Sequence, residues 1–342
     1  MRVWRRFWAA PSLLFILASS TAGATLTPGR LLITTDQSAT PANTLYEYTT
    51  TGTKTQTFNV PFPTSPRDNY VRDIAVDTDG NVEIFNGTFA PYLTTFTPST
   101  GSFTHHPGDF SVVNNVSYGG VAIYGKYVFV SDEVTANSSN AGIVRFDAAN
   151  NYATTRFKSG TEYERVSIGA NGLLYAIQGG EFLGLSGVDV FDPQMMNLIR
   201  SVPLAADSRA VAVDPTGDMF VASWDGKIYH YNATGSLLKT RDLGFGNIDD
   251  IDISPSGQLV IGGRFGDVIL TDTSLSSQTS FKASGTPVFV AFTSPVPEPT
   301  SAALLTVASL ILAQRSGRGA RARDGFMRKG MQSRGNHGSE RV

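Results

Sequence analysis

The chain has no cysteine, so no disulfide framework, thiolate nucleophile or cysteine-ligated metal can form. Histidine is scarce too, with four in 342 residues, and only His105 and His106 adjoin. They fall in a segment, SFTHHPG, that reads as an outer strand, where neighbouring side chains point to opposite faces and one ion cannot easily take both. His230 lies in another strand and reads as satisfying a core or edge hydrogen bond. No phosphate loop and no Ser-His-Asp arrangement occurs; GLSGVD lacks the strand-to-helix context of a nucleophile elbow. Residues 25–294 show no convincing helical period.

A basic footprint is also missing. Residues 25–314 hold 16 Lys and Arg against 27 Asp and Glu, a net of −11, and only the ends bring the whole chain to −2. Phosphate binding needs clustered positive charge, so nucleic acid is excluded as a partner. Four Asn-x-Ser/Thr triplets, at Asn86, Asn115, Asn137 and Asn232, read as products of a composition rich in Asn, Ser and Thr.

Both ends carry addresses. The N-terminus has Arg2, Arg5 and Arg6, a short apolar stretch and then Ala22-Gly23-Ala24. That is the layout of a secretory signal cut by signal peptidase, with the mature chain starting at Thr25. Near the other end, Pro297-Glu298-Pro299 precedes an apolar run over residues 301–313 and then Arg315, Arg318, Arg321 and Arg323. The prolines hold the approach extended. The run is shorter than the ~20 residues of a standard membrane helix, and the arginines after it would halt export.

This order of parts resembles the PEP-CTERM sorting signal of bacterial proteins handled by an exosortase. The resemblance implies an apolar helix in the inner membrane during transit, cleavage near the triplet, and delivery to the cell surface or extracellular matrix. The chain departs from the pattern in its tail, which continues well past the arginines. The expected organisation is a signal peptide over 1–24, a folded domain over 25–294, the sorting signal over 295–323 and a disordered tail over 324–342.

Within the domain, one pattern repeats. The segments DIAVD, GVAIY, RVSIG, AVAVD, DIDIS and FVAFT have second residues Ile74, Val121, Val166, Val211, Ile251 and Val290, separated by 47, 45, 45, 40 and 39. A tight turn and a second strand follow most of them, with Gly80, Gly172, Gly217 and Gly257 where the chain needs positive φ. Third strands then end in an aromatic at Tyr48, Phe96, Phe146, Phe191 and Tyr231, with Thr271 in the sixth copy. Alternating apolar residues in repeats of this length predict an all-β fold, a six-bladed β-propeller. The first copy, RLLITTD from Arg30, lacks an inner strand, and the last, FVAFT, is nothing else. Pairing the two closes the ring and removes its open edges. The repeats resemble those of NHL-type and gluconolactonase-like propellers.

The starts of the inner strands are charged: Arg72-Asp73, Glu164-Arg165, Arg209 and Asp249-Asp250. Register places these seven residues around one channel mouth, as candidates for holding a cation, a carboxylate or a sugar. The alternative reading is compensating surface ion pairs in tight turns. The expected function is a non-catalytic binding or scaffold module for extracellular polysaccharide or protein, with no resident cofactor. The gluconolactonase resemblance implies a second reading, a metal-dependent lactonase with a divalent cation among Glu164, Asn247 and Asp249. A third is an architectural matrix protein without a discrete ligand.

Overall fold

The computed structural model describes residues 23–35, 43–61, 70–87, 91–107, 119–132, 141–158, 160–179, 187–204, 207–286 and 288–293. Among them are twenty-four strands in six four-stranded antiparallel sheets. Blade 1 joins β1 (Leu31–Thr35), β2 (Thr44–Tyr48) and β3 (Lys54–Asn59) to the last strand, β24 (Val288–Phe292). Blade 2 contains β4 (Tyr70–Val76), β5 (Val82–Gly87), β6 (Tyr92–Thr97) and β7 (Ser102–Pro107). Blade 3 contains β8 (Val121–Tyr124), β9 (Tyr127–Asp132), β10 (Gly142–Asp147) and β11 (Ala153–Lys158). Blade 4 runs through β12 (Tyr163–Ile168), β13 (Leu174–Gln178), β14 (Gly187–Phe191) and β15 (Leu198–Pro203). Blade 5 comprises β16 (Ser208–Val213), β17 (Met219–Ser223), β18 (Lys227–Tyr231) and β19 (Leu237–Asp242), and blade 6 comprises β20 (Ile248–Ile253), β21 (Gln258–Gly263), β22 (Asp267–Asp272) and β23 (Thr279–Lys282).

The repeat predicted from sequence is the repeat found, strand for strand. Closure also occurs as expected: Leu31 pairs with Phe292, Ile33 with Val290 and Thr35 with Val288. The join is locked beyond its ladder, because the Thr293 amide donates to the Arg30 carbonyl (3.0 Å) and the Arg30 amide donates to Thr293 Oγ1 (2.9 Å).

The core is divided. Six apolar clusters each lie between two adjacent sheets, so every blade is stabilised on both faces by its neighbours. The cluster at the closure joins Val260, Val268 and Leu270 of blade 6 to Leu31, Ile33 and Val290 of blade 1. Packing there is close enough that a Cβ on Gly262 would lie 2.5 Å from the Val288 carbonyl oxygen. The five aromatics expected in register, together with Thr271, are all buried at the same level, each opposite an apolar residue of the second strand.

The expectations for Ala22, for Pro297, Glu298, Pro299, Arg315 and Arg318, for the C-terminal apolar helix and for the tail lie outside the described residues. Among the described residues no helix is long and apolar enough to cross a membrane.

Truncation tests the closure. A chain ending before Val288 loses one strand of blade 1 and part of two interblade cores, and cooperative thermal unfolding followed by circular dichroism is expected to disappear. A chain ending after residue 294 is expected to keep the full-length midpoint. Equal midpoints for both truncations would contradict the closure.

Candidate functional site

Each inner strand pairs on one side with its own blade, while its other side faces the inner strand of the next. Amides on that second side have no ladder partner, and buried N–H groups must be satisfied. Aspartates supply the bonds. Asp73 Oδ2 accepts from the Val121 amide in blade 3 (2.8 Å), Asp250 Oδ2 from the Val290 amide in blade 1 (2.8 Å), and Asp252 Oδ2 from the Phe292 amide (2.8 Å). The other oxygen of each carboxylate accepts from the following residue's own amide. Burial and the neighbouring Asp250 carboxylate push Asp73 well above the usual carboxylate range.

Register defines one level of the ring, immediately before the apolar residues that mark the repeat. It contains Asp73, Gly120, Arg165, Ala210, Asp250 and Phe289. Arg165 of blade 4 crosses this level. Its Nη1 donates to the Arg72 carbonyl and to the Gly119 carbonyl (3.2 Å), lies 3.3 Å from Asp73 Oδ2, and its guanidinium sits 4.8 Å from the Phe289 ring centre in the opposite blade. The carboxylates of Asp73 and Asp250 raise its already high pKa against the effect of burial. Gly120 makes room: a Cβ there would lie 2.8 Å from Asp73 Oδ2 and 3.1 Å from the Arg165 Cα. Arg165 therefore closes the channel. The cavity beneath it is about 110 Å³, lined by residues such as Ala75, Ile123 and Val211, below the range of small-molecule sites.

Four inner strands carry a register shift at their start, between Val71 and Asp73, Tyr163 and Arg165, Ser208 and Ala210, and Ile248 and Asp250. The extra residues are Arg72, Glu164, Arg209 and Asp249. Strict alternation would send the members of each charged pair to opposite faces, and a bulge re-aims one of them. Gly262 and Gly263 pair across the one in β20.

All seven predicted residues gather at the mouth. They are buried, which corrects the reading of surface pairs in tight turns: Arg72, Asp73, Glu164, Arg165, Arg209, Asp249 and Asp250 are each 9% exposed or less. Arg209 pairs with Glu164 and lies 4.3 Å over the Trp224 ring. Burial pushes Glu164 up to about 7, with Arg209 pulling the other way. Asp249 Oδ1 is 3.8 Å from Arg264 Nε, and the Arg264 guanidinium lies 4.3 Å over the same Trp224 ring. Trp224 and Arg264 were missed from sequence. Both begin a three-residue turn ending in glycine, WDG and RFG, after the second strand of consecutive blades, and aligning those turns exposes them.

The lactonase set is only partly assembled. Glu164 and Asp249 face arginines, while Asn247, at φ 62°, uses its backbone to accept from the Arg264 amide and donate to the Trp224 carbonyl. Among the described residues no three His, Asp or Glu side chains group so as to hold a metal ion. His105 and His106 do point apart, to Thr94 (2.9 Å) and Thr95 (3.0 Å), and His230 meets Asp218 at 3.2 Å. His106 stacks on Tyr152, whose hydroxyl donates to the buried Glu83 at 2.7 Å and so joins blade 3 to blade 2.

No protein-family model matches the chain, and no curated protein matches it. Among solved structures it is similar to a protein of unknown function from Bacteroides caccae, at 12% identity over 77% of this chain and 99% of that one, with a TM-score of 0.53. The Neurospora crassa Pan2 WD40 domain is similar at 10% identity over 82% and 79%, TM-score 0.49, and apo AztD from Citrobacter koseri at 13% over 77% and 97%, TM-score 0.43. At 12% identity the Bacteroides likeness supports the fold alone.

Two stability measurements test the charge network. Arg165→Met leaves Asp73 and Asp250 buried without their shared counter-charge, and urea unfolding should show a loss of about 3–5 kcal/mol; a change within about 0.5 kcal/mol would refute the role assigned to Arg165. Burial raises Glu83 from its ordinary 4.5 to about 7. A raised carboxyl binds its proton more tightly when folded, so its contribution is complete below about pH 4 and is lost as pH rises through about 7, on the order of 3 kcal/mol. Glu83→Gln should flatten the fall in stability across that window, and an unchanged slope would show that Glu83 does not titrate there.

Proposed function

We propose that this protein is an exported, surface-sorted β-propeller that acts as a non-catalytic binding or scaffold module for extracellular carbohydrate or protein, engaging its ligand on the mouth face. The export signal at Arg2–Ala24 and the Pro297-Glu298-Pro299 signal support the location. One observation carries the choice of face. Inner strands begin on the mouth side and second strands end there, and the stretches of sequence between the strand ends on that side include the longest, 36–43, 60–69, 108–120, 133–141 and 179–186. On the opposite side no connection is longer than residues 192–197. Long connections on a rigid scaffold are where binding residues concentrate.

Arg165 blocks passage through the ring, so the ligand meets a surface rather than a tunnel. The lactonase reading has less support, because the carboxylates it would use face Arg209 and Arg264.

Retention of the full chain on the extracellular matrix fraction of its host tests this function. Asp249→Ala combined with Arg264→Ala is expected to release the protein, while Asn232→Ala, in a turn on the opposite face, is expected to leave it bound, with or without EDTA. Equal retention of both variants would count against mouth-face binding, and release by EDTA alone would favour the metal-dependent reading.

A further inference from the structure

Three groups at the rim have unused hydrogen-bonding capacity. Asp249 is 9% exposed, and among the described residues its buried Oδ2 has no hydrogen-bond partner and its only ion pair is the 3.8 Å approach to Arg264. That separation is too long for a direct hydrogen bond. The Arg264 side chain is 38% exposed, and among the described residues no hydrogen bond reaches its guanidinium or the indole N–H of Trp224. A buried carboxylate left without donors is costly, and nearly all such groups find partners. Phe265, next to Arg264 in the same turn, is 62% exposed on the mouth side.

We propose that Asp249, Arg264, Trp224 and Phe265 form a pyranose-binding subsite for a hydroxyl-rich unit of an extracellular polysaccharide. The inference rests on the mouth-face reading above and names its ligand class. A hydroxyl both donates and accepts, so neighbouring sugar hydroxyls fit the gap: one donates to Asp249 Oδ1, the carboxylate oxygen that faces Arg264, and the next accepts from Arg264 or from the indole N–H. Charge-assisted bonds of this kind are the stronger ones, and here they form on a largely desolvated carboxylate. The exposed Phe265 ring offers a flat apolar surface to the C–H face of the same ring. An extended protein segment is a poorer fit, since strand addition needs an unpaired sheet edge and the edges β3, β7, β11, β15, β19 and β23 lie on the rim of the disc, away from the mouth.

The sequence provides a reporter. Trp224 is the only tryptophan after Trp4 and Trp8. In the full chain carrying Trp4→Phe and Trp8→Phe, all indole emission comes from Trp224. Titration with cellohexaose, mannohexaose and chitohexaose is expected to shift that emission saturably with at least one of them. Asp249→Asn and Phe265→Ala should each weaken the response about tenfold or more, and Phe265→Ala, at an exposed position, should keep the unfolding midpoint. A response unchanged by both variants would overturn the subsite. So would a response to a random peptide library but to none of the three sugars, which leaves mouth-face binding standing. Silence towards sugars and peptides alike would overturn both.

Discussion

An inner strand of a propeller has a paired side and an unpaired side, and the unpaired amides are the constraint on which this ring depends. Nothing in the sheets themselves satisfies the amides of Val121, Val290 and Phe292. The carboxylates of Asp73, Asp250 and Asp252 do so across the gap between blades. Leaving such a group unsatisfied costs about 1–3 kcal/mol. Two of these bonds end on β24, so they act on the strand that closes the ring.

Satisfying amides with aspartates creates a second problem, because it places negative charge in an apolar channel. Arg165 answers it. The guanidinium stays charged in any protein environment and donates here to two carbonyls, with the Asp73 carboxylate beside it at 3.3 Å as an ion-pair partner. Its position needs small neighbours, which explains Gly120 and Ala210 at the same level of the ring. The channel closes as a consequence, and chemistry is displaced outward to the bulged positions. There Glu164 and Arg209 complete a pair, whereas Asp249 and Arg264 stand too far apart to complete theirs. A structural requirement at the centre thus leaves, at the rim, the 3.8 Å separation on which the proposed subsite rests.

Most of the fold was legible in the sequence because its signals are local and repeated. Alternation as in DIAVD or AVAVD recurs in every blade, and glycines such as Gly80 and Gly217 at positive φ and aromatics such as Phe96 and Phe146 recur in most of them. The odd fragments at the two ends could only complete each other. The mouth was half legible. Charge at the strand starts identified the seven residues, but not that pairs such as Arg72 and Asp73 are accommodated by bulges, since a bulge is a matter of pairing between strands and leaves no composition mark. Trp224 and Arg264 were hidden for another reason: they sit in turns, where alternation gives no guide, and only blade-to-blade comparison of WDG with RFG brings them together.

The central claim is that side-chain carboxylates hold adjacent inner strands together, and amide hydrogen exchange measures this one residue at a time. In the unmodified chain the Val121, Val290 and Phe292 amides should all be protected. Asp250→Ala should speed exchange at Val290 by an order of magnitude or more, in keeping with the loss of about one buried hydrogen bond, while Val121 changes far less. If Val290 exchanges at the same rate in both proteins, the carboxylate is not what holds that strand, and the ring must be held together by something other than its aspartates.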